Sequence, residues 1–271
     1  MELEGKVALV LGAVKGIGKG IGLALAEQGV TVALNCFDRE ESLDKLKQDL
    51  AATGRDHLIV KTDLLETDKI SGLVNQVVEH CGRLDILINN IERGGWPVVH
   101  GQYTREQWDL EMETTLRAKR WVFDSALPYL KASGDGVVVN FSSIAGIVGR
   151  SGPAGYIFND GYAAANRGIS LLTETWARMG APQVRVNEIM LGLVETRHGE
   201  KTMGWELLAE AQKQALIDHT LLRRTGTIAD VVKAVLFMIK EAPFMTGSVL
   251  RLDGGYVLGG DHVEPIPDGV L

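Results

Sequence analysis

Cysteine is scarce in this chain: only Cys36 and Cys81 occur among 271 residues, and they lack the CxxC spacing of a redox pair or a thiolate metal site. That excludes a disulfide framework and fits buried free thiols in a reducing compartment. A basic surplus is missing too, since 28 Lys and Arg face 35 Asp and Glu, for a formal net charge of -7. Nucleic-acid affinity rests on clustered cations that neutralise phosphates, so a nucleic acid is not the expected partner. The histidines show no ligand spacing, and no metal is expected. No apolar stretch approaches the length of a membrane span, and Met1-Glu2-Leu3-Glu4-Gly5-Lys6 runs straight into a strand without the apolar core of a signal peptide. A cytoplasmic protein with no membrane partner is the expectation.

What is present is an alternation of apolar strands and helices. Hydrophobic residues make up 45% and charged residues 23%, the balance of a chain that buries a sizeable core. Val7 to Leu11 is an apolar run ending in glycine, followed by a helical pattern from Ile17 to Glu27 and a second run, Val30 to Leu34. Then come a polar helix (Glu40 to Ala52), a strand (His57 to Thr62), a helix (Asp68 to Cys81) and the buried run Leu84 to Ile88. A helix from Thr104 to Leu130, the strand Gly136 to Phe141, a helix from about Gly161 to Met179 and the strand Val184 to Ile189 follow. A helix at Ala229 to Ile239 and the strand Ser248 to Leu252 complete the series. Near-continuous apolar strands separated by helices predict an α/β fold: a Rossmann-type, doubly wound parallel sheet with helices on both faces. No linker, repeat or low-complexity stretch divides the chain, so a single domain over residues 1–271 is expected. Its tail, from about residue 256 and carrying Pro265 and Pro267, reads either as an extended arm over a neighbouring surface or as a loose terminus.

The first strand opens into Leu11-Gly12-Ala13-Val14-Lys15-Gly16-Ile17-Gly18, a glycine turn leading directly into a helix. Glycines permit the tight turn and the close approach of a pyrophosphate, and the helix N-terminus supplies free N–H groups and positive partial charge. Asp63-Leu64 follows the third strand, Asn89-Asn90 the fourth, and Ser142-Ser143 the fifth; Asn187 to Thr196 and Arg251-Leu252-Asp253-Gly254-Gly255 come later. In this order the segments resemble the motifs of the short-chain dehydrogenase/reductase family: TGxxxGIG with Leu11 in place of threonine, the adenine-binding acid, NNAG, N-x-x-PG-x-x-x-T and R-x-DGG.

The resemblance covers nearly the whole chain and implies a nicotinamide dinucleotide held by Gly12, Lys15, Gly16, Ile17, Gly18, Cys36, Asp63, Leu64, Asn90, Tyr162, Asn166, Val194 and Thr196. An acidic residue ending the second strand selects NAD through the ribose 2′-hydroxyl. In Asn35-Cys36-Phe37-Asp38-Arg39, Cys36 takes that place, and Lys15 is a candidate to face a 2′-phosphate, so NADP(H) is favoured over NAD(H). Asp38 as the selecting acid, with Lys15 a solvated turn residue, is the alternative.

Family members use a serine to polarise the substrate oxygen, a tyrosine to exchange its proton, a lysine four residues on and an asparagine from an earlier helix. Ser143 matches the serine. Two tyrosines compete: the usual spacing from Ser143 lands on Tyr156, whereas the downstream helix register selects Tyr162, with Gly155 to Gly161 read as a loop insertion. Tyr162 is preferred, because a helix register is harder to shift than a loop length. Asn166 then replaces the lysine, Thr115 the asparagine, and Asn90-Ile91-Glu92 stands for Asn-Ala-Gly. A free phenol titrates near ~10, and without a neighbouring cation Tyr162 is expected to stay protonated, which suits carbonyl reduction. Lys119, one helical turn after Thr115, is either a substitute cation aimed at the site or a solvated or interface lysine, while Arg167 should point elsewhere.

The loops after Asn90, Ser143 and Gly192 should line the substrate pocket, and they carry Arg93, Arg150 and Arg197. Converging arginines would suit an anionic substrate or an acyl thioester; solvated loop surface is the plainer reading. Glu200 to Asp218, with Trp205 and Leu207 inward, is a candidate lid or interface helix. The leading expectation is an NAD(P)(H)-dependent oxidoreductase acting between carbonyl and alcohol; the family resemblance further implies a homo-dimer or tetramer assembled through the helices at Thr104–Leu130 and Gly161–Met179. A catalytically degenerate subunit of a hetero-oligomer and a non-catalytic dinucleotide sensor are the alternatives.

Overall fold

A computed structural model describes residues 1–37, 40–91, 104–196, 205, 208–261, 263 and 265–267, without the side chains of 40 and 41. Its strands are β1 (Val7–Val10), β2 (Thr31–Cys36), β3 (His57–Lys61), β4 (Ile86–Asn89), β5 (Gly136–Ser143), β6 (Val184–Leu191) and β7 (Val249–Leu252). They pair in parallel in the order β3-β2-β1-β4-β5-β6-β7. The order reverses between β1 and β4, where an open α/β sheet offers a crevice beyond its strand ends.

Helices α1 (Gly16–Glu27), α2 (Glu40–Ala52) and α3 (Ile70–Cys81) follow the first three strands. After β4 come α4 (Arg105–Glu111), a π-helical stretch at Met112–Arg117 and α5 (Ala118–Ala132). The short α6 (Ala145–Val148), then α7 (Asp160–Gly180), α8 (Glu210–His219) and α9 (Ile228–Lys240) complete the set. Alternate strand residues enter opposite cores. Ala8, Val10, Val32, Leu34, Ile86 and Ile88 pack on α1 and α9, whereas Val7, Leu9, Leu87, Val138 and Val186 pack on α3, α5 and α7. In the second core Phe123 and Trp176 stack at 4.5 Å between ring centroids, joining α5 to α7.

Four expectations need correction. The segment 104–130 is not one regular helix, because the π-helical turn at Met112–Arg117 widens it beneath the site. The fifth strand runs two residues past Phe141, to Ser143, since β6 extends equally far and pairs Ser143 with Leu191. Tyr256, placed at the start of a tail read as an extended arm or a loose terminus, is a buried residue at 1% exposure on a 3-10 turn, packed edge-on to His219 at 4.6 Å. Of the segment 200–218, residues 210–218 are regular helix and Leu208 and Ala209 are not; Leu207 lies outside the described residues, and the half-buried Trp205 packs on a third apolar cluster. That cluster, built from Ile144, Ala154, Met190, Leu208, Leu216 and Tyr256, sits beyond the ends of β5 and β6.

Candidate active site

The turn between β1 and α1 is held from behind by β4. Gly12 has φ +61°, and a Cβ there would lie 2.6 Å from the Asn90 carbonyl oxygen, so no larger residue fits without moving the turn. Asn90 Nδ2 donates to the carbonyl of Leu11 at 3.3 Å, tying the two strand ends together. Lys15 is the extended, half-buried N-cap residue, Gly16 begins α1, and Ile17 and Gly18 are buried in its first turn. The Thr196 carbonyl approaches Gly16, and Val194 is bridged to Gly226, which fixes the loop leaving β6 over the turn.

At the far side, Cys36 closes β2 and is 7% exposed; burial pushes its thiol up, while Lys61 and then Lys47 pull it down. Two cations therefore act on the end of β2 where an acid would select NAD. The Thr62 N–H donates to the Cys36 carbonyl at 2.9 Å, and Asp63 Oδ1 accepts from the Leu65 N–H at 3.0 Å, so Asp63 and the buried Leu64 are set at the end of β3. Asp38 lies outside the described residues.

Ser143 is the last residue of β5, buried, with its Oγ accepting the Ala145 N–H at 3.1 Å. That bond leaves the hydroxyl proton to donate elsewhere. Three residues on, α6 crosses α7: a Cβ at Gly146 would lie 2.8 Å from the Arg167 nitrogen and 3.0 Å from the Asn166 carbonyl carbon. The segment of Ser143 and the helix of Tyr162 and Asn166 are thereby brought together. Tyr162 is half-buried in the first turn of α7, its ring 5.7 Å from that of Phe158. Tyr156 is 41% exposed at the end of a 3-10 turn at Gly152–Tyr156, and α7 starts at Asp160, so of the segment Gly155 to Gly161 only residues 157–159 lie outside helical turns.

Asn166 Nδ2 donates to the Tyr162 carbonyl at 2.9 Å, one turn back. Its Oδ1 is buried with no hydrogen-bond partner among the described residues, and the same holds for Oγ1 of Thr115 on the π-helical stretch, whose neighbour Leu116 packs on Gly168 of α7. A buried acceptor left unmatched costs about 1–3 kcal/mol, so such atoms point to a group that completes them. The forced glycine turn and these two unmatched atoms fit a nicotinamide dinucleotide.

Lys119 corrects one of the expectations held for it: it is 1% exposed, neither solvated nor at a surface, and its ammonium donates to the Phe141 carbonyl at 2.6 Å. The expected arginine convergence does not gain support: Arg150 is exposed, and Arg93, Arg197 and Glu92 lie outside the described residues. Two features escaped the sequence reading. Glu188 is fully buried in β6, a charged residue visible inside the apolar run VRVNEIML. Asn159 caps α7, a signal available in Asn159-Asp160 ahead of the helical pattern. Among the described residues no helix is long and apolar enough to cross a membrane, and no cluster of His, Cys, Asp and Glu could hold a metal ion.

A family model described as enoyl-(acyl carrier protein) reductase matches residues 12–257. The 3-oxoacyl-[acyl-carrier-protein] reductase FabG of Thermotoga maritima is 33% identical, over 95% of this chain and 100% of its own. A ketoacyl reductase 2 of the granaticin polyketide synthase of Streptomyces violaceoruber is 37% identical, over 93% and 96%. A crystal structure from Sinorhizobium meliloti, described as a short-chain alcohol dehydrogenase, superposes with a TM-score of 0.81 at 27% identity, covering 95% of this chain and 98% of that one. The chain belongs to the short-chain dehydrogenase/reductase family, as an NAD(P)(H)-dependent oxidoreductase that acts between carbonyl and alcohol.

Proposed function

We propose that the chain is an NADPH-preferring reductase of a β-keto acyl thioester or a related apolar ketone. Bound at the glycine turn, the dinucleotide supplies the hydride. Ser143 donates its free hydroxyl proton in a hydrogen bond to the carbonyl oxygen, and Tyr162 gives up the phenol proton to that oxygen as the alcohol forms. Asn166 and Thr115 offer their unmatched oxygens to the nicotinamide ribose and to the solvent chain around it. The crossing of α6 over α7 at Gly146 carries this reading, because it puts the Ser143 segment against Asn166.

The preference for NADPH rests on the cations acting at Cys36, Lys61 and Lys47, together with Lys15 at the turn. The acyl thioester reading rests on the relatives' substrates and on the apolar cluster beyond β5 and β6, where Val148, Phe158, Leu193 and Trp205 pack against Ile144 and Met190. Within the reading, the whole chain works as one dinucleotide-binding unit in the cytoplasm, assembled as a dimer or tetramer over the helix faces that expose Trp121, Leu171 and Met179.

The test is a fluorescence titration of NADPH and NADH, followed by turnover on a panel of ketones and acyl thioesters. The expected result is tighter NADPH binding, with thioester reduction that falls at least about a hundredfold in Tyr162→Phe. Turnover kept in Tyr162→Phe but lost in Tyr156→Phe would move the proton donor to Tyr156. Absence of binding by both cofactors at millimolar concentration would favour a degenerate subunit instead.

A further inference from the structure

One buried carboxylate holds on to both the strand that ends in Ser143 and the helix that carries Tyr162. Glu188, 0% exposed in β6, stands opposite Asn140 of β5. Its Oε1 accepts from the hydroxyl of Ser142, the residue before Ser143, and from that of Ser170 on α7 at 3.0 Å. Tyr162, Asn166 and Ser170 recur every four residues and share one face of α7. The contact therefore lies directly along the helix from the proton donor.

Lys119 supplies the opposite charge. β4 ends at Asn89, opposite Asn140, so the Phe141 carbonyl lies past the last β4 partner. The Lys119 ammonium takes that carbonyl at 2.6 Å and acts electrostatically on Glu188, as does Arg167. Burial pushes the Glu188 carboxyl up, while the bonds from Ser142 and Ser170 and the charges of Lys119 and Arg167 pull it back. Burying two charges is costly and often adds no stability over an apolar pair. The Glu188 bonds have a different use: they join Ser142, beside Ser143, to Ser170, two turns along α7 from Tyr162.

We infer that Glu188 is a positioning residue: its buried carboxylate clamps the Ser143 end of β5 to the Tyr162 helix and sets the distance between two groups that meet on one substrate oxygen. The inference rests on the reductase reading above. Displacing a reacting group by about an ångström costs on the order of a hundredfold in rate, with little effect on ground-state binding.

Two double variants separate positioning from charge and from folding. Glu188→Gln with Lys119→Met removes both charges but keeps an oxygen for Ser142 and Ser170; Glu188→Leu with Lys119→Met removes that oxygen as well. The expected result is a kcat within about threefold of wild type for the first pair and a loss of at least about tenfold for the second, with KM and the NADPH Kd unchanged in both. Equal kcat in the two pairs, whether both fast or both slow, would overturn the clamp. If the second pair does not fold, Ser170→Ala reads the same link: kcat falls at constant Kd if the clamp operates and stays put if it does not. A wild-type chain that reduces nothing in the panel overturns the reductase reading, and the inference with it; an active wild type with insensitive variants overturns the inference alone.

Discussion

Asn159 and Glu111 are linked by a hydrogen bond of 3.2 Å from Asn159 Nδ2 to Glu111 Oε1, while Asn159 Oδ1 accepts the Tyr162 N–H at 2.7 Å. Glu111 is 2% exposed at the end of α4. A carboxylate on one helix thus aims the cap of another, and the capped residue is the proposed proton donor. Asn159→Ala should cost about 1 kcal/mol of stability through the lost cap, seen as a lower melting temperature. It should also lower kcat more than KM, because the first turn of α7 loses its anchor. A loss of stability with kcat untouched would reduce Asn159 to a simple helix cap.

Gly12→Ala tests the turn. Its φ of +61° and the 2.6 Å approach of the Asn90 carbonyl oxygen leave a methyl group no room, and strain of this kind costs about 1–3 kcal/mol. The NADPH Kd should rise at least about tenfold, since 1.4 kcal/mol is a factor of ten. Fluorescence titration that finds an unchanged Kd would place the dinucleotide away from this turn.

Acid should loosen the start of α9. Arg224 and then the Thr227 N–H hold the Asp230 carboxyl well below the usual carboxylate range, with Arg224 Nη1 2.8 Å and the Thr227 nitrogen 2.9 Å from Oδ2. A depressed folded-state value means that this stabilisation is present at neutral pH and is lost as pH falls below the ordinary range near ~4. Asp230→Asn should melt below wild type at pH 7, and the gap should close toward pH 3. The cluster lies at the surface, where screening keeps the effect to at most about 1 kcal/mol. A gap that widens in acid would contradict the sign.

The parallel sheet and the glycine turn were legible in the sequence because they depend on neighbours in the chain. Runs such as VALV in β1 and GVVVNFSS in β5 are buried on both faces, and a strand leading through Gly12 into a helix needs only local backbone geometry. The family motifs are local in the same sense.

Tertiary structure decided the rest. Helical spacing put Lys119 on the face of Thr115, but only the end of β4 at Asn89 left the Phe141 carbonyl for it to take. Glu188 was visible as a charge inside a strand, yet its partners come from β5 and α7, and Tyr256 is buried because α8 folds His219 against it. The π-helical stretch under Thr115 has no periodicity of its own to betray it. A period records which face of an element turns inward, while the direction of a buried charge depends on which polar atoms distant strands leave unpaired when they pack.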